Sequence, residues 1–230
     1  MNSEIRAVFF DAGATLLFSD PPVEQVYARE FAADGCALSA DAFRDALERA
    51  WKVVHAEAAH NRYGGVRGEA GFWKSFLNRV RAVLDGGAVS EEAFERLAAH
   101  FRNPRSWAVY EDVPPTLDSL SGLGIKLGVV SNWDSQLPQL LQALGLADRF
   151  GSIVVSAIEE TGKPDREIFL RACARLRVAP EEALHVGDSL VEDFEGARAA
   201  GLRALLLDRK DQHPDVHDRI RGLGELTARL

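Results

Sequence analysis

Short apolar runs punctuate this chain, and they fall in two groups. The first run, Ala7-Val8-Phe9-Phe10, has no polar side chain and stops abruptly at Asp11. A run of this kind, rich in Val and Phe, reads as a strand buried on both faces. After Leu17 the period changes. Val23, Val26, Tyr27 and Phe31 recur at helical spacing, and Gly35 can close that helix. Ser39 can cap a longer helix, whose apolar stripe is Phe43, Ala46, Leu47, Ala50, Trp51 and Val54. Gly64 and Gly65 break the chain. Phe72, Trp73, Phe76, Leu77, Val80 and Leu84 predict a third helix, ending at Gly86 and Gly87. Ser90 caps a fourth, with Glu91 and Glu92 in the first turn, where the helix dipole favours acids.

The second group of runs then begins. Lys126 to Ser131, Ile153 to Ser156, Ala183 to Gly187 and Arg203 to Leu207 each read as a short strand. Helical patterns lie between them, over Ser135 to Leu144, Arg166 to Leu176 and Val191 to Ala200. The segment from Ile220 to Leu230 reads as a last short strand or turn and a closing helix. Strand alternating with helix predicts an α/β fold: a Rossmann-like core with a mainly parallel sheet, helices on both faces, and an inserted all-helical cap. The expected division is a core of residues 1–18 and 106–230 and an all-helical insert of residues 19–105.

Composition narrows the partners. The 230 residues carry a net charge of −8, which argues against nucleic acid or an anionic membrane surface as partner. It is compatible with a bound divalent cation. No apolar run approaches the roughly 20 residues that a membrane helix needs. The chain enters its first strand at once, so no signal peptide is expected. Cys36 and Cys173 are the only cysteines. Neither sits in a metal-binding or redox spacing, which suits two free thiols in a cytoplasmic protein.

The candidate chemistry lies just after the strands. Asp11 and Thr15 follow the first, Ser131 and Asn132 end the Lys126 strand, Lys163 follows the Ile153 strand, and Asp188 and Asp193 follow the Ala183 strand. Ligands of open α/β sheets bind at the carboxyl ends of the strands, so one parallel sheet would bring all four clusters to one crevice. Asp11, Asp188 and Asp193 are oxygen ligands without His or Cys, a set that suits Mg²⁺. Ser131 and Lys163 offer a hydroxyl and a cation for phosphoryl oxygens. An Asp nucleophile forming an aspartyl-phosphate is an established covalent strategy. Each cluster also has a plainer reading. Asp188 could cap the helix near Leu190, Glu192 and Asp193 could complement its dipole, Ser131 could cap the helix after Asp134, and Lys163 could be a solvated loop lysine.

Taken together, FFDAGATLL, VVSN, Lys163-Pro164-Asp165 and GDSLVED resemble, in order, the four motifs of the haloacid dehalogenase superfamily. The helices between the first two motifs resemble its type 1 cap, and the first motif resembles that of the rhythmically-expressed-gene-like subgroup. The resemblance implies a hydrolase acting on a small phosphorylated molecule. Asp11 would be nucleophile and Mg²⁺ ligand, with the Gly13 carbonyl and Asp188 as further ligands. Asp193 would hold the metal through water or order its shell. Ser131, Asn132 and Lys163 would bind the phosphoryl group, with Thr15 in the catalytic set. One departure stands out. Phosphatases of the superfamily carry a second Asp, the general acid, where this chain has Gly13, and Ala14 replaces the usual Gly. A chain lacking that acid should prefer activated phosphates, and Ala12 and Ala14 leave room for a carboxylate at position 13. Dehalogenases and phosphonatases also lack the second Asp. The first need no metal; the second use a cap lysine, for which Lys52 and Lys74 are the candidates. A phosphate-binding module without turnover is the reading from another class. A phospho-aspartate receiver shares the Asp, Ser/Thr and Lys set but has no place for the insert. Trp51, His55, His60, Arg62, Tyr63, Arg67 and Trp73 are the cap side chains that could face the crevice.

Overall fold

In strand β1 (Ala7–Phe10) successive side chains point to opposite faces, yet all four are fully buried. Val8 and Phe10 join one apolar cluster; Ala7 and Phe9 join another on the reverse face. A strand can be apolar throughout only where both faces are covered, so β1 marks the centre of a layered α/β core. The computed structural model describes residues 4–57, 68–84 and 86–230, for 54–57 the helical backbone only. Gly64 and Gly65 lie outside these residues.

After β1 come β2 (Leu17–Ser19), then the helices α1 (Val23–Ala33), α2 (Ala40–Glu57), α3 (Glu69–Leu84) and α4 (Glu91–Arg102). The chain returns through β3 (Trp107–Val109) and α5 (Val113–Gly122). Then follow β4 (Lys126–Ser131), α6 (Leu137–Ala143), β5 (Ser152–Val155), α7 (Ser156–Glu159), α8 (Arg166–Leu176), β6 (Ala183–Gly187), α9 (Gly196–Ala199), β7 (Arg203–Leu207) and β8 (Arg219–Ile220).

Six strands form one sheet in the order β5-β4-β1-β6-β7-β8, every neighbouring pair parallel. Parallel pairing points every strand's carboxyl end the same way. The core is thus the Rossmann-like α/β sheet with helices on both faces. Helices α1 to α4 form a cluster of their own, with Phe31, Phe43, Phe76 and Val80 fully or almost fully buried among them. Trp51, Phe72, Trp73 and Phe76 pack there as a ring cluster. Ser90 caps α4 by accepting from the amide of Ala93 at 3.1 Å. No helix among the described residues is long and apolar enough to cross a membrane.

Three local expectations need correction. The helix expected from Ser135 starts at Leu137, because the Asp134 side chain accepts from the Gln136 amide at 3.0 Å and holds the preceding residues in a turn. The stretch after Asp188 begins as a π-type turn over Leu190–Glu195 before α9. Helix α5 has no counterpart in the sequence reading. Pro114 and Pro115 make its start look like a break, yet proline is tolerated in a helix's first turn.

Candidate active site

The loops after β1, β4, β5 and β6 meet at the carboxyl edge of the sheet. Asp11 is 7% exposed, and the ammonium of Lys163 donates to its Oδ1 at 2.6 Å. The same ammonium donates to Asp193 Oδ1 at 2.5 Å. Lys163 is 2% exposed, so it is no solvated loop lysine. Burial would strip its proton, but Asp11, Asp193 and Glu192 outweigh that effect and raise its pKa well above an ordinary lysine.

Asp193 is saturated with donors. Besides Lys163 it has His185 Nε2 at 2.8 Å on Oδ1 and the Ser189 amide at 3.0 Å on Oδ2. Burial would raise its pKa; Lys163 and His185 reverse this and hold it well below the usual carboxylate range. Gly187 is required beside it, since a Cβ there would fall 2.2 Å from the Asp193 carboxyl carbon. Burial raises Asp11; Asp193 reinforces the rise, and Lys163 and the Ser131 hydroxyl oppose it.

One carboxylate oxygen each of Asp11, Asp188 and Asp193 lies within 4.8 Å of the others. Asp188 sits at the mouth of the crevice, where water reaches it, though protein surrounds much of its carboxyl group. That burial, with the charges of Asp11 and Asp193, pushes its pKa up to about 8. Asp188 does not cap the following turn: Ser189 does, accepting from the Glu192 amide at 3.1 Å. Three carboxylates thus face one ammonium. The donor set is all oxygen, and its uncompensated negative charge is what a hard divalent cation would offset; the residues present fit such an ion.

Ser131 ends β4 at 1% exposure. Asn132 beside it is turned toward the Lys163 loop. Its Oδ1 accepts from the Lys163 amide and its Nδ2 donates to the Lys163 carbonyl, both at 2.8 Å, with a third bond to Glu192 at 3.0 Å. Thr15 is fully buried, and among the described residues its hydroxyl has no hydrogen-bond partner. The Thr15 carbonyl accepts from Arg209, which also forms a two-pronged pair with Asp112. Arg209 lies 3.9 Å over the Tyr110 ring. This anchor fixes the turn carrying Gly13 and Ala14, where Ala14 holds a φ of 54°, the left-handed conformation that costs a side-chain-bearing residue roughly 1–2 kcal/mol.

Position 13 corrects an expectation. A Cβ on Gly13 would lie 3.2 Å from Cζ3 of Trp133, so an aromatic ring, and not open space, meets any side chain placed there. Of the cap candidates, Trp51 and Trp73 pack into the helical cluster, and Lys74 pairs with Glu91 while Lys52 is exposed. The side chains of His55, His60, Arg62, Tyr63 and Arg67 lie outside the described residues.

Three groups escaped the sequence reading. Trp133 follows the Ser131-Asn132 pair directly. His185 is the one polar residue in an otherwise apolar strand, a signal that a buried partner was needed. Glu69, at the start of α3, accepts from the backbone amide of Ser135 at 2.6 Å and its hydroxyl at 2.9 Å, linking the helical insert to the loop after β4.

A parallel sheet with an acidic cluster and a buried lysine at its carboxyl edge, and a helical insert after the first strand, defines a class of α/β hydrolase. The sequence matches the haloacid dehalogenase-like hydrolase family over residues 5–201. It is 34% identical over 239 residues to the haloacid dehalogenase-like hydrolase domain-containing protein 3 of Danio rerio, covering 100% of this chain and 98% of that one. It is 40% identical over 220 residues to a glyceraldehyde 3-phosphate phosphatase of Methanopyrus kandleri, covering 94% and 88%. Among solved structures, a HAD phosphatase from Thermococcus onnurineus superposes with a TM-score of 0.65 at 31% identity over 97% of each chain. The chain belongs to the haloacid dehalogenase-like hydrolases.

Proposed function

We propose that this hydrolase is a Mg²⁺-dependent phosphatase acting on a small phosphorylated molecule through Asp11. The observation that carries the reading is the cluster of Asp11, Asp188 and Asp193 with Lys163 bonded between the first and the last. The phosphatase names of two similar proteins support it. Residues 19–105 would serve as a cap over a core of residues 1–18 and 106–230; the separate apolar cluster of α1 to α4 favours that division.

Asp11, the Gly13 carbonyl and Asp188 would hold the metal. The ion would supply positive charge against the phosphoryl oxygens. Asp193 orders Lys163, because both of its oxygens are already engaged by protein donors. Lys163 and Ser131 bind phosphoryl oxygens. Asn132 positions the Lys163 loop, and Thr15 steadies the turn after Asp11. In the first step an Asp11 oxygen attacks phosphorus, and the bond to the leaving group breaks with its electron pair on the departing oxygen. Water then attacks the same phosphorus and releases inorganic phosphate from Asp11. One water hydrogen stays on the phosphate, and the other reaches the departed oxygen through solvent.

The third carboxylate, Asp188, favours this reading over a metal-free dehalogenase, and the surface positions of Lys52 and Lys74 favour it over a phosphonatase. The test is a panel of phosphate esters, phosphonates and 2-haloacids, each with and without Mg²⁺. Metal-dependent phosphate release from esters alone is expected. Halide release without metal would replace the reading by dehalogenation, and phosphate binding without any turnover by a binding module.

A further inference from the structure

The expulsion of an alkoxide needs a proton; the expulsion of a stabilised oxyanion does not. At position 13, two residues beyond Asp11, glycine has no side chain to supply that proton. Lys163 donates to two carboxylates, and both oxygens of Asp193 accept from protein donors. What stands beside the turn after Asp11 is the indole of Trp133: a Cβ on Gly13 would lie 3.2 Å from Cζ3 of its six-membered ring.

That ring is held. Its backbone amide donates to Ser156 Oγ at 3.1 Å, and its carbonyl accepts from the Ser156 hydroxyl at 3.2 Å and the Ala157 amide at 3.3 Å. The indole packs on Trp107 with centroids 4.9 Å apart. Trp107 is fixed in turn by its Nε1 bond to the Phe101 carbonyl at 2.9 Å. Trp133 is only partly buried, so part of its surface remains available. It also lines a cavity of about 80 Å³ with Phe101, Arg102, Asp134 and Leu140.

We infer that Trp133 is the specificity-determining residue of the site, and that its indole selects phosphomonoesters with a planar, weakly basic leaving group, chemically an aryl phosphate. The inference rests on the phosphatase reading and names its substrate class. Two effects act together. The missing acid penalises basic leaving groups by about 10²–10⁴-fold, and the ring surface favours flat aromatic ones, a stacking preference of roughly 3- to 10-fold.

The test is a leaving-group series: 4-nitrophenyl, phenyl, benzyl and glyceraldehyde 3-phosphates, in Mg²⁺, with wild type, Trp133→Ala and Trp133→Phe. Asp11→Asn serves as the blank. In the wild type, kcat/KM should fall steeply as leaving-group basicity rises. Trp133→Ala should raise KM for the aryl esters about 3- to 10-fold and leave KM for glyceraldehyde 3-phosphate unchanged; Trp133→Phe should stay near wild type. Inhibition by phenylphosphonate against methylphosphonate repeats the comparison without turnover. A flat leaving-group profile, or an aryl preference untouched in Trp133→Ala, overturns the inference while leaving the phosphatase reading standing. No Asp11-dependent phosphate release from any ester overturns both.

Discussion

Lys163 and Asp11 are 152 residues apart in sequence and 2.6 Å apart in space, with Lys163 bonded equally closely to Asp193. This buried lysine is the joint at which the first, third and fourth loops of the site are fastened together. Removing it should strand two carboxylates in a poorly hydrated place. Lys163→Met is expected to lower the unfolding free energy by about 3–5 kcal/mol, as loss of one partner from a buried pair does. Lys74→Ala, which removes an exposed pair with Glu91, should change it by about 1 kcal/mol or less. Urea titrations of both variants make the comparison.

Asp11→Asn keeps the shape of the side chain and removes its nucleophilic charge. Hydrolysis should vanish, while the circular dichroism spectrum and the cooperativity of unfolding persist. Undiminished turnover in this variant would take Asp11 out of the nucleophile role.

A divalent cation that binds only the folded chain stabilises it by mass action, about 2.7 kcal/mol at a hundred times the dissociation constant. For a chain of this size that is a rise in Tm of roughly 5–10 °C. Mg²⁺ should produce it, EDTA should reverse it, and Asp188→Ala should suppress it. A thermal scan indifferent to millimolar Mg²⁺ would count against the metal.

The bonds between Glu69 and Ser135 join the insert to the loop that also carries Trp133. Hydrogen bonds to a charged acceptor contribute about 1.5–3 kcal/mol. A double-mutant cycle with Glu69→Ala and Ser135→Ala should return a coupling energy in that range. A value near zero would mean that the Ser135 hydroxyl does not hold Glu69 in solution, the bond from the Ser135 amide being untouched by Ser135→Ala.

Cys173 is 2% exposed on the inner face of α8, and burial pushes its thiol up to about 11 from an ordinary value of 9.0. The unfolded chain ionises this thiol first, so the unfolded state gains on the folded one as pH rises from 9 to 11. Stability from this residue is intact below pH 9 and falls above it, with a slope approaching about 1.4 kcal/mol per pH unit. Cys173→Ala should show a shallower decline over that interval. Parallel pH profiles for the two proteins would rule the thiol out as the cause.

Strands β4, β6 and β7 and helix α8 have the limits that the sequence implies, because each apolar run or stripe ends at a polar residue or glycine. Strands β2 and β3 were illegible. Each is three residues long, and neither has a pattern without the other; their pairing is a property of the folded chain. The same distinction divides the site. Asp11, Ser131 and Asp188 are traceable because a strand ends at or beside each, Lys163 and Asp193 because of the motifs around them, and the structure brings all five together. The tasks of Asn132 and Trp133 depend on which way a side chain turns at a strand's end. Asn132 turns to the Lys163 loop and Trp133 to Gly13, and residue type alone fixes neither direction.

The β2–β3 pair has a consequence for how the insert is attached. The helical insert departs at Ser19 and returns at Trp107, and these two residues are partners in one antiparallel ladder. Adjacent strands lie about 4.8 Å apart whatever joins them. The two ends of the insert are therefore held side by side next to the parallel sheet, with Glu69 tied separately to Ser135 in the loop after β4. The ribbon thus sets where the insert leaves and rejoins the core, whatever the length of chain between Ser19 and Trp107.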